Sequence, residues 1–338
     1  MTNSVPVDRT NKLNLLKMED CPIPEIDRSF NKTYDEVCYS SASEYWKYHD
    51  DITVLWSGGL DSTCVAIAFL QTRPMGKKLS FVGSVESIEE YPKFYEDHKS
   101  LITIDTPAQF WNRFKVRSTD TRYVTGDIGD QIFGGCINEF GDKKDEDWQN
   151  FIDWKDTFRQ SYMLSEELRR DWTDKEKQRF LDKMEKFNYQ APFPIVTLFD
   201  FVWWLTFSTR VNGAGNNITV LTTEMTGVKK AAMDTYSPFY LNNDFQQWSM
   251  LNHQAKYPGG VETYKQPIKD FIIRYNNDTD FMMNKKKEKS TPRLLGNDNW
   301  FQDWVRNTNT NYLIMTDGTM YNRENDVPFD LMKTLLKI

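Results

Sequence analysis

The stretch from Ile52 to Leu70 constrains the fold more than any other part of this 338-residue chain. Residues 52–56 are apolar or β-branched and predict a buried strand, which two glycines then end. From Asp61 onward the apolar residues recur at helical spacing. A strand, a glycine turn and a helix N-terminus form a cradle for anions, because glycines let the backbone approach a phosphate and the N–H groups and helix dipole favour negative charge.

Composition limits the classes of partner. Charged residues make up 27% of the chain and the net charge is −7, so nucleic acid is an unlikely partner. The longest apolar run, residues 193–207, is too short to span a bilayer and contains Asp200. The N-terminus also lacks the basic-then-apolar pattern of a signal peptide. We therefore expect a cytoplasmic protein with no membrane segment.

Cysteine spacing gives no sign of a metal site or a disulfide framework. Cys21, Cys38, Cys64 and Cys136 form no Cys-X-X-Cys pair and have no histidine nearby at ligand spacing. Reduced thiols are the expected state, and no zinc site is expected.

Strand and helix patterns alternate from residue 52 to residue 135. Further strands are predicted at 79–84, 101–104 and 122–125, with helical segments between them. This alternation predicts an α/β fold with a parallel, doubly wound sheet and helices on both faces. In such sheets ligands bind at the carboxyl ends of the strands.

A second glycine-rich stretch, residues 125–135, follows the predicted strand at 122–125. It contains two carboxylates three residues apart, Asp127 and Asp130. Mg²⁺ bound to a triphosphate takes one or two carboxylates from the protein, and Asp61 and Asp130 each follow a strand. The residue types are equally consistent with Asp127 and Asp130 capping turns and a helix N-terminus.

The two motifs together resemble a known family. Residues 57–62, Ser-Gly-Gly-Leu-Asp-Ser, resemble the pyrophosphate loop (PP-loop) of ATP pyrophosphatases, which cleave ATP between the α and β phosphates. With residues 125–135, the chain resembles the synthetase domain of asparagine synthetases and the related β-lactam synthetases. Thr125 and Gly126 align with the Ser-Gly of the family's second motif. Asp127 aligns with its Glu, and Asp130 with its metal-binding Asp.

The resemblance implies an adenine nucleotide α-hydrolase-like fold and the ligands ATP and Mg²⁺. It implies that Asp61 and Asp130 hold the metal. The nucleotide-binding positions it implies are Leu55, Ser57, Gly58, Gly59, Leu60, Asp61, Ser62, Val82, Thr125 and Gly126.

Two further segments resemble the family more faintly. Residues 237–239 resemble its Arg-Val-Pro-Phe segment, and residues 285–289 resemble its Arg-Pro-Lys-Glu-Gln segment. The second alignment makes Lys287 the catalytic lysine, with Lys285, Lys286 and Lys289 as alternatives in register. Asp127 is the other catalytic residue implied, either accepting a proton from an amine or holding an ammonium.

The family's activity implies an AMP-forming carbon–nitrogen ligase, as in asparagine biosynthesis. Such an enzyme adenylates a small-molecule carboxylate, releases pyrophosphate and forms an amide with ammonia or an amine. We expect no counterpart of the family's glutaminase half in this sequence, so nitrogen would come from free ammonia, a substrate amine or a separate glutaminase subunit. Two alternatives remain: an enzyme that modifies a nucleic-acid base, and a nucleotide-binding module without catalysis, which the replacement of Glu by Asp127 allows.

The same comparison predicts four parts along the chain. An N-terminal arm spans 1–45, the nucleotide-binding α/β core 46–140, the helical part of the synthetase domain 141–300, and a C-terminal tail 301–338. Helices in the third part are predicted at 151–170, 174–187, 194–210, 240–256 and 262–276.

Overall fold

A computed structural model of the chain describes residues 9–10, 22–106, 109–110, 113, 121–134, 174–209, 236–257, 263–284, 312–314 and 320–322. Five parallel strands form one sheet in the order β3-β2-β1-β4-β5. This sheet and its helices confirm the α/β class. The strands are β1 (Asp51–Leu55), β2 (Lys78–Gly83), β3 (Ile102–Ile104), β4 (Thr121–Thr125) and β5 (Tyr236–Pro238).

One helix of the described residues precedes β1, and the others lie between and after the strands. None of the helices in the described part of the chain combines the length and apolar character needed to cross a bilayer. A separate antiparallel pair is formed by β6 (Tyr312–Ile314) and β7 (Met320–Asn322). The α-helices are α1 (Tyr34–Tyr48), α2 (Leu60–Thr72), α3 (Val85–Glu90), α4 (Pro92–His98), α5 (Gly129–Phe133), α6 (Asp174–Asn188), α7 (Leu198–Thr209), α8 (Asn243–Leu251), α9 (Gln266–Asn276) and α10 (Thr279–Asn284).

The core is built around the strand and helix that flank the first glycine turn. Val54 on β1 is aligned with Phe81 on β2 and with Val124 on β4, and all three side chains are fully buried. On α2, every residue from Ser62 to Phe69 is buried. A central parallel strand covered on both faces needs this apolar run, which is why the sequence pattern identified it.

The chain before β1 contains a longer helix than the polar sequence suggests. Thr33 and Glu36 form a reciprocal capping box that starts α1, and α1 packs against α2. Its buried face includes Val37, Cys38 and Ala42. The predicted division between arm and core at residue 45 falls inside this helix.

The strand order creates a crevice at one edge of the sheet. From β1 the chain adds β2 and β3 on one side, whereas β4 and β5 lie on the other side. Such a reversal leaves a crevice at the carboxyl ends of the two strands on either side of it, here β1 and β4. Leu55 at the end of β1 is aligned with Val82 on β2 and with Thr125 on β4. The two glycine-rich turns therefore start side by side.

The helical predictions after residue 173 are largely confirmed. The segments predicted at 174–187, 194–210 and 262–276 contain α6, α7 and α9, while the one at 240–256 is broken into α8 and two short 3₁₀ turns. Trp203 and Trp204 on α7 are fully buried, as expected of packing residues. The helix predicted at 151–170 lies outside the described residues.

Candidate functional site

The turn after β1 is closed by hydrogen bonds between two serines. The backbone N–H of Ser57 donates to Oγ of Ser62 at 3.0 Å, and the two hydroxyls lie 3.0 Å apart. Oγ of Ser62 also donates to the carbonyl of Gly59, the N-cap of α2. Gly58 and Leu60 complete this turn. These contacts fix the backbone at the N-terminus of a 13-residue helix, as an anion-binding turn requires.

The turn after β4 lies directly against this first turn. A Cβ atom on Gly126 would lie 2.6 Å from the backbone nitrogen of Ser62, so only glycine fits there. A Cβ atom on Gly129, at the start of α5, would lie 2.4 Å from Oδ1 of Asp61. Because Gly126 and Gly129 have no side chain, the turn after β4 can contact the turn after β1.

A lysine joins the carboxylates of the two turns. Nζ of Lys265 lies 2.8 and 2.6 Å from the two carboxylate oxygens of Asp61, and 2.6 Å from Oδ1 of Asp130. Both carboxylates therefore face the same point, as a shared cation site requires. We refer to Asp61 and Asp130 as the carboxylate pair.

The charge on Lys265 is set by this contact. Burial of the ammonium acts to lower its pKa, but the carboxylates of Asp130 and Asp61 outweigh burial and raise the pKa above the ordinary lysine value. Lys265 therefore stays charged at neutral pH.

The carboxylate pair fits Mg²⁺ that arrives with phosphates. Two carboxylates already gather one cation here, and Mg²⁺ is typically bound by one or two carboxylates together with substrate phosphates. Within the described ranges, no cluster of three or more His, Cys, Asp or Glu residues could hold a metal by itself. The donor set suits a metal–nucleotide complex better than a bare ion.

Asp127 belongs to a small hydrogen-bonded group with Thr125 and Tyr236, and the carboxylate of Asp130 is close enough to contribute to the rise in its pKa. Oδ2 of Asp127 accepts a hydrogen bond of 2.9 Å from Oγ1 of Thr125 and another from the hydroxyl of Tyr236 on β5. Burial raises the pKa of Asp127, although the two hydrogen bonds oppose the rise. Burial and the neighbouring carboxylate hold the pKa of Tyr236 well above its ordinary value.

The structure brings most of the predicted site residues to one edge of the sheet. Two residues that the sequence analysis did not single out join them, Lys265 and Tyr236. A proline two residues after Lys265 marks the start of a helix, but nothing local identifies the lysine as a site residue. Tyr236 precedes the segment 237–239, which is the only sequence signal near it. Lys287 and the alternatives Lys285, Lys286 and Lys289 lie outside the described residues.

Comparison with known proteins gives no family assignment. No protein-family model matches the chain, and a search of curated proteins finds no match in sequence.

Proposed function

We propose that this protein is an ATP- and Mg²⁺-dependent ligase that activates a carboxylate as an acyl-adenylate and then forms an amide. The observation that carries the proposal is the meeting of Asp61, Asp130 and Lys265 beside the turn of residues 57–62. Such a site offers two anionic metal ligands, a cation and a helix N-terminus within one crevice. A triphosphate whose pyrophosphate must leave needs these groups.

In this proposal the turn of residues 57–62 holds the β and γ phosphates of ATP. Its backbone N–H groups and the N-terminus of α2 provide partial positive charge. Leu55 and Val82 lie at the ends of neighbouring strands, and Thr125 and Gly126 lie across the crevice. These four positions would contact the nucleoside. The adenine nucleotide α-hydrolase-like fold is part of the proposal, and the five-stranded parallel sheet supports it.

Asp61 and Asp130 would hold the Mg²⁺ ion. Bound there, Mg²⁺ would neutralise the charge that develops on the leaving pyrophosphate. Lys265 would supply a second positive charge at the same place, and Lys287 is proposed as the catalytic lysine that stabilises the developing charge. Positioning and electrostatic stabilisation of this kind account for most of the rate in phosphoryl and nucleotidyl transfer.

The chemistry would take place in two steps. A carboxylate oxygen of the substrate forms a bond to the α phosphorus, and the bond to the bridging oxygen breaks, releasing pyrophosphate. An amine or ammonia then attacks the acyl carbon, AMP leaves with the electrons of the C–O bond, and the nitrogen loses a proton. Asp127 is the proposed acceptor of that proton, since a carboxylate with a raised pKa is a better base.

The proposed small-molecule partners are a carboxylate and a source of nitrogen, which is ammonia, an amine or a separate glutaminase subunit. We place the reaction in the cytoplasm, where ATP and ammonia are available.

The direct test is a pyrophosphate-release screen on the full chain. The panel contains the twenty amino acids with ammonia, polyamines, and both tRNA and DNA. We expect one carboxylate–amine pair to stimulate release, and Asp61→Asn and Asp130→Asn to abolish it. Asp50→Asn is the matched control, because Asp50 is an exposed carboxylate paired only with Lys77 among the contacts described.

Other outcomes of the screen identify the alternatives. Release stimulated by tRNA or DNA alone would assign the protein to nucleic-acid modification. Binding of ATP without release of pyrophosphate under any condition would indicate a nucleotide-binding module. Either result would overturn the ligase proposal.

A further inference from the structure

The inference concerns the position of Lys265 between the carboxylate pair. The Lys265 side chain is only 6% exposed, whereas that of Asp61 is 24% exposed and that of Asp130 is 58% exposed. The ammonium therefore lies on the inner side of the pair, and the carboxylates have their open side toward solvent. In the nucleotide-free protein, the single positive charge of Lys265 therefore neutralises half of the negative charge of the carboxylate pair.

The backbone holds this lysine in place at a conformational cost. Lys265 is the N-cap of α9 and has left-handed dihedral angles, φ 60° and ψ 28°. Such a conformation is rare for a residue with a side chain and persists only where the surroundings impose it. Here the N–H of Lys265 donates to the carbonyl of Lys256 at 3.2 Å, and α9 packs against α2. The fold therefore fixes the backbone from which the Lys265 side chain extends, and the three contacts to the carboxylate pair hold the ammonium.

A divalent ion and this ammonium are competitors for the same oxygens. Three carboxylate oxygens lie within 2.8 Å of Nζ. A free Mg²⁺ ion that took these oxygens would leave a buried positive charge beside a second cation, and little solvent would screen the repulsion. A triphosphate changes the balance, because its oxygens can accept the hydrogen bonds that Lys265 gives up.

We propose that Lys265 is an internal counter-cation that makes the carboxylate pair selective for the metal–triphosphate complex over the free metal ion. In the absence of nucleotide it fills the metal position. When the metal–triphosphate complex binds, the ammonium donates its hydrogen bonds to phosphate oxygens instead. The two carboxylates are then available to bind the metal. This inference rests on the proposed function, since it takes a triphosphate as the ligand. It adds that the nucleotide increases the affinity of the protein for the metal, and the metal its affinity for the nucleotide, because of Lys265.

The test measures metal binding rather than turnover. Mn²⁺ is titrated into the full chain and followed by electron paramagnetic resonance, with and without the non-cleavable analogue α,β-methylene-ATP. We expect wild type to bind Mn²⁺ weakly without nucleotide, and Lys265→Met to bind it at least about tenfold more tightly. That factor lies within the usual range of coupling between two sites.

Three further variants test whether the positive charge of Lys265 causes the weak binding of free Mn²⁺. Lys265→Arg keeps a cation and should bind free Mn²⁺ as weakly as wild type. Lys99→Met removes an exposed lysine paired with Glu96 and should behave like wild type. Asp61→Asn combined with Lys265→Met should lose the tight Mn²⁺ site, because one of its two carboxylates is gone.

Two results would overturn the inference. One is a Lys265→Met protein that binds free Mn²⁺ no more tightly than wild type. The other is tight Mn²⁺ binding by wild type without nucleotide, which needs no variant and so remains decisive if Lys265→Met does not fold. Failure of the ligase proposal looks different: no pyrophosphate is released with any substrate pair, while the effect of Lys265 on Mn²⁺ binding is unchanged.

Discussion

Gly129 and Asp61 approach each other so closely that a Cβ atom on the glycine would lie 2.4 Å from a carboxylate oxygen of the aspartate. The same carboxylate is held by Lys265. The position of Asp61 relative to Asp130 thus depends on a missing side chain at the first residue of α5.

We predict that Gly129→Ala displaces the Asp61 carboxylate from Lys265. Pyrophosphate release should fall by about 100-fold, since small displacements of catalytic groups have effects of this size. Stability should change by only about 1–3 kcal/mol, the range for an added methyl group in a packed site. Pyrophosphate release and urea unfolding measure the two effects.

The control for this prediction is Gly76→Ala. Gly76 has φ +86°, and a Cβ atom there would meet nothing within 4 Å. The control should lose stability through backbone strain and keep its activity. Equal loss of activity in both variants would contradict the role given to Gly129.

Tyr236→Phe is predicted to raise the pKa of Asp127 further. The tyrosine hydroxyl stabilises the charged carboxylate by donating to it, so its removal favours the protonated form. A hydrogen bond to a charged group contributes about 1.5–3 kcal/mol, so the further rise in the pKa should be large enough to resolve. The ¹³C carboxyl shift of labelled aspartate, assigned with Asp127→Asn, gives the titration directly.

Tyr48→Phe is the matched control for Tyr236, because Tyr48 is 73% exposed. It should leave the titration of Asp127 unchanged. A titration of Asp127 that is the same in Tyr236→Phe and wild type would refute the stabilising role of the phenol.

Ser62→Ala is predicted to weaken nucleotide binding by about tenfold. Oγ of Ser62 accepts the N–H of Ser57 and donates to the carbonyl of Gly59, so its loss opens the turn. Each of these two hydrogen bonds contributes about 0.5–1.5 kcal/mol, and a net loss of about 1.4 kcal/mol corresponds to a tenfold change in binding. Calorimetry with α,β-methylene-ATP measures the affinity for the nucleotide. The control is Ser29→Ala, which removes a hydroxyl in an exposed turn and should bind the analogue as wild type does.

Acid should destabilise the protein through a buried histidine. Nε2 of His253 lies 2.9 Å from Oδ1 of Asp200, and Nδ1 lies 3.1 Å from Nζ of Lys256. Burial of the ring lowers the pKa of His253 from 6.5 to about 4. The unfolded chain therefore binds a proton near pH 6.5 that the folded protein does not accept until about pH 4.

Between these two pH values the unfolded state holds more protons, so the free energy of unfolding falls as the pH falls. The His253 contribution amounts to about 3 kcal/mol at most. Burial also lowers the pKa of Lys256 from its ordinary value of 10.5, so its contribution to the free energy of unfolding falls as the pH falls from 10.5 to that lowered pKa. We predict a shallower pH dependence for His253→Asn than for wild type in urea unfolding. Parallel curves for the two proteins would show that the ring titrates normally.

Local pattern was enough to identify the first glycine turn and its flanking elements. Residues 52–54, 56 and 62–69 are buried, so most of their side chains had to be apolar or small, and this was visible in the sequence. By contrast, α1 begins at Tyr34, within the segment 1–45 that the sequence analysis describes as an arm. Its buried face mixes cysteine, serine and alanine with aromatic residues, so the helical period is weak.

The sequence by itself determined that two glycine-bearing turns follow parallel strands, and it identified Asp61 and Asp130 at those turns. Only the tertiary structure decided that Lys265 joins them, from 204 residues beyond Asp61, and that Tyr236 binds Asp127. The physical reason is that turns and buried strands are specified by neighbouring residues. Contacts across the crevice depend on how α9 packs on α2 and how β5 pairs with β4, and no local pattern encodes either.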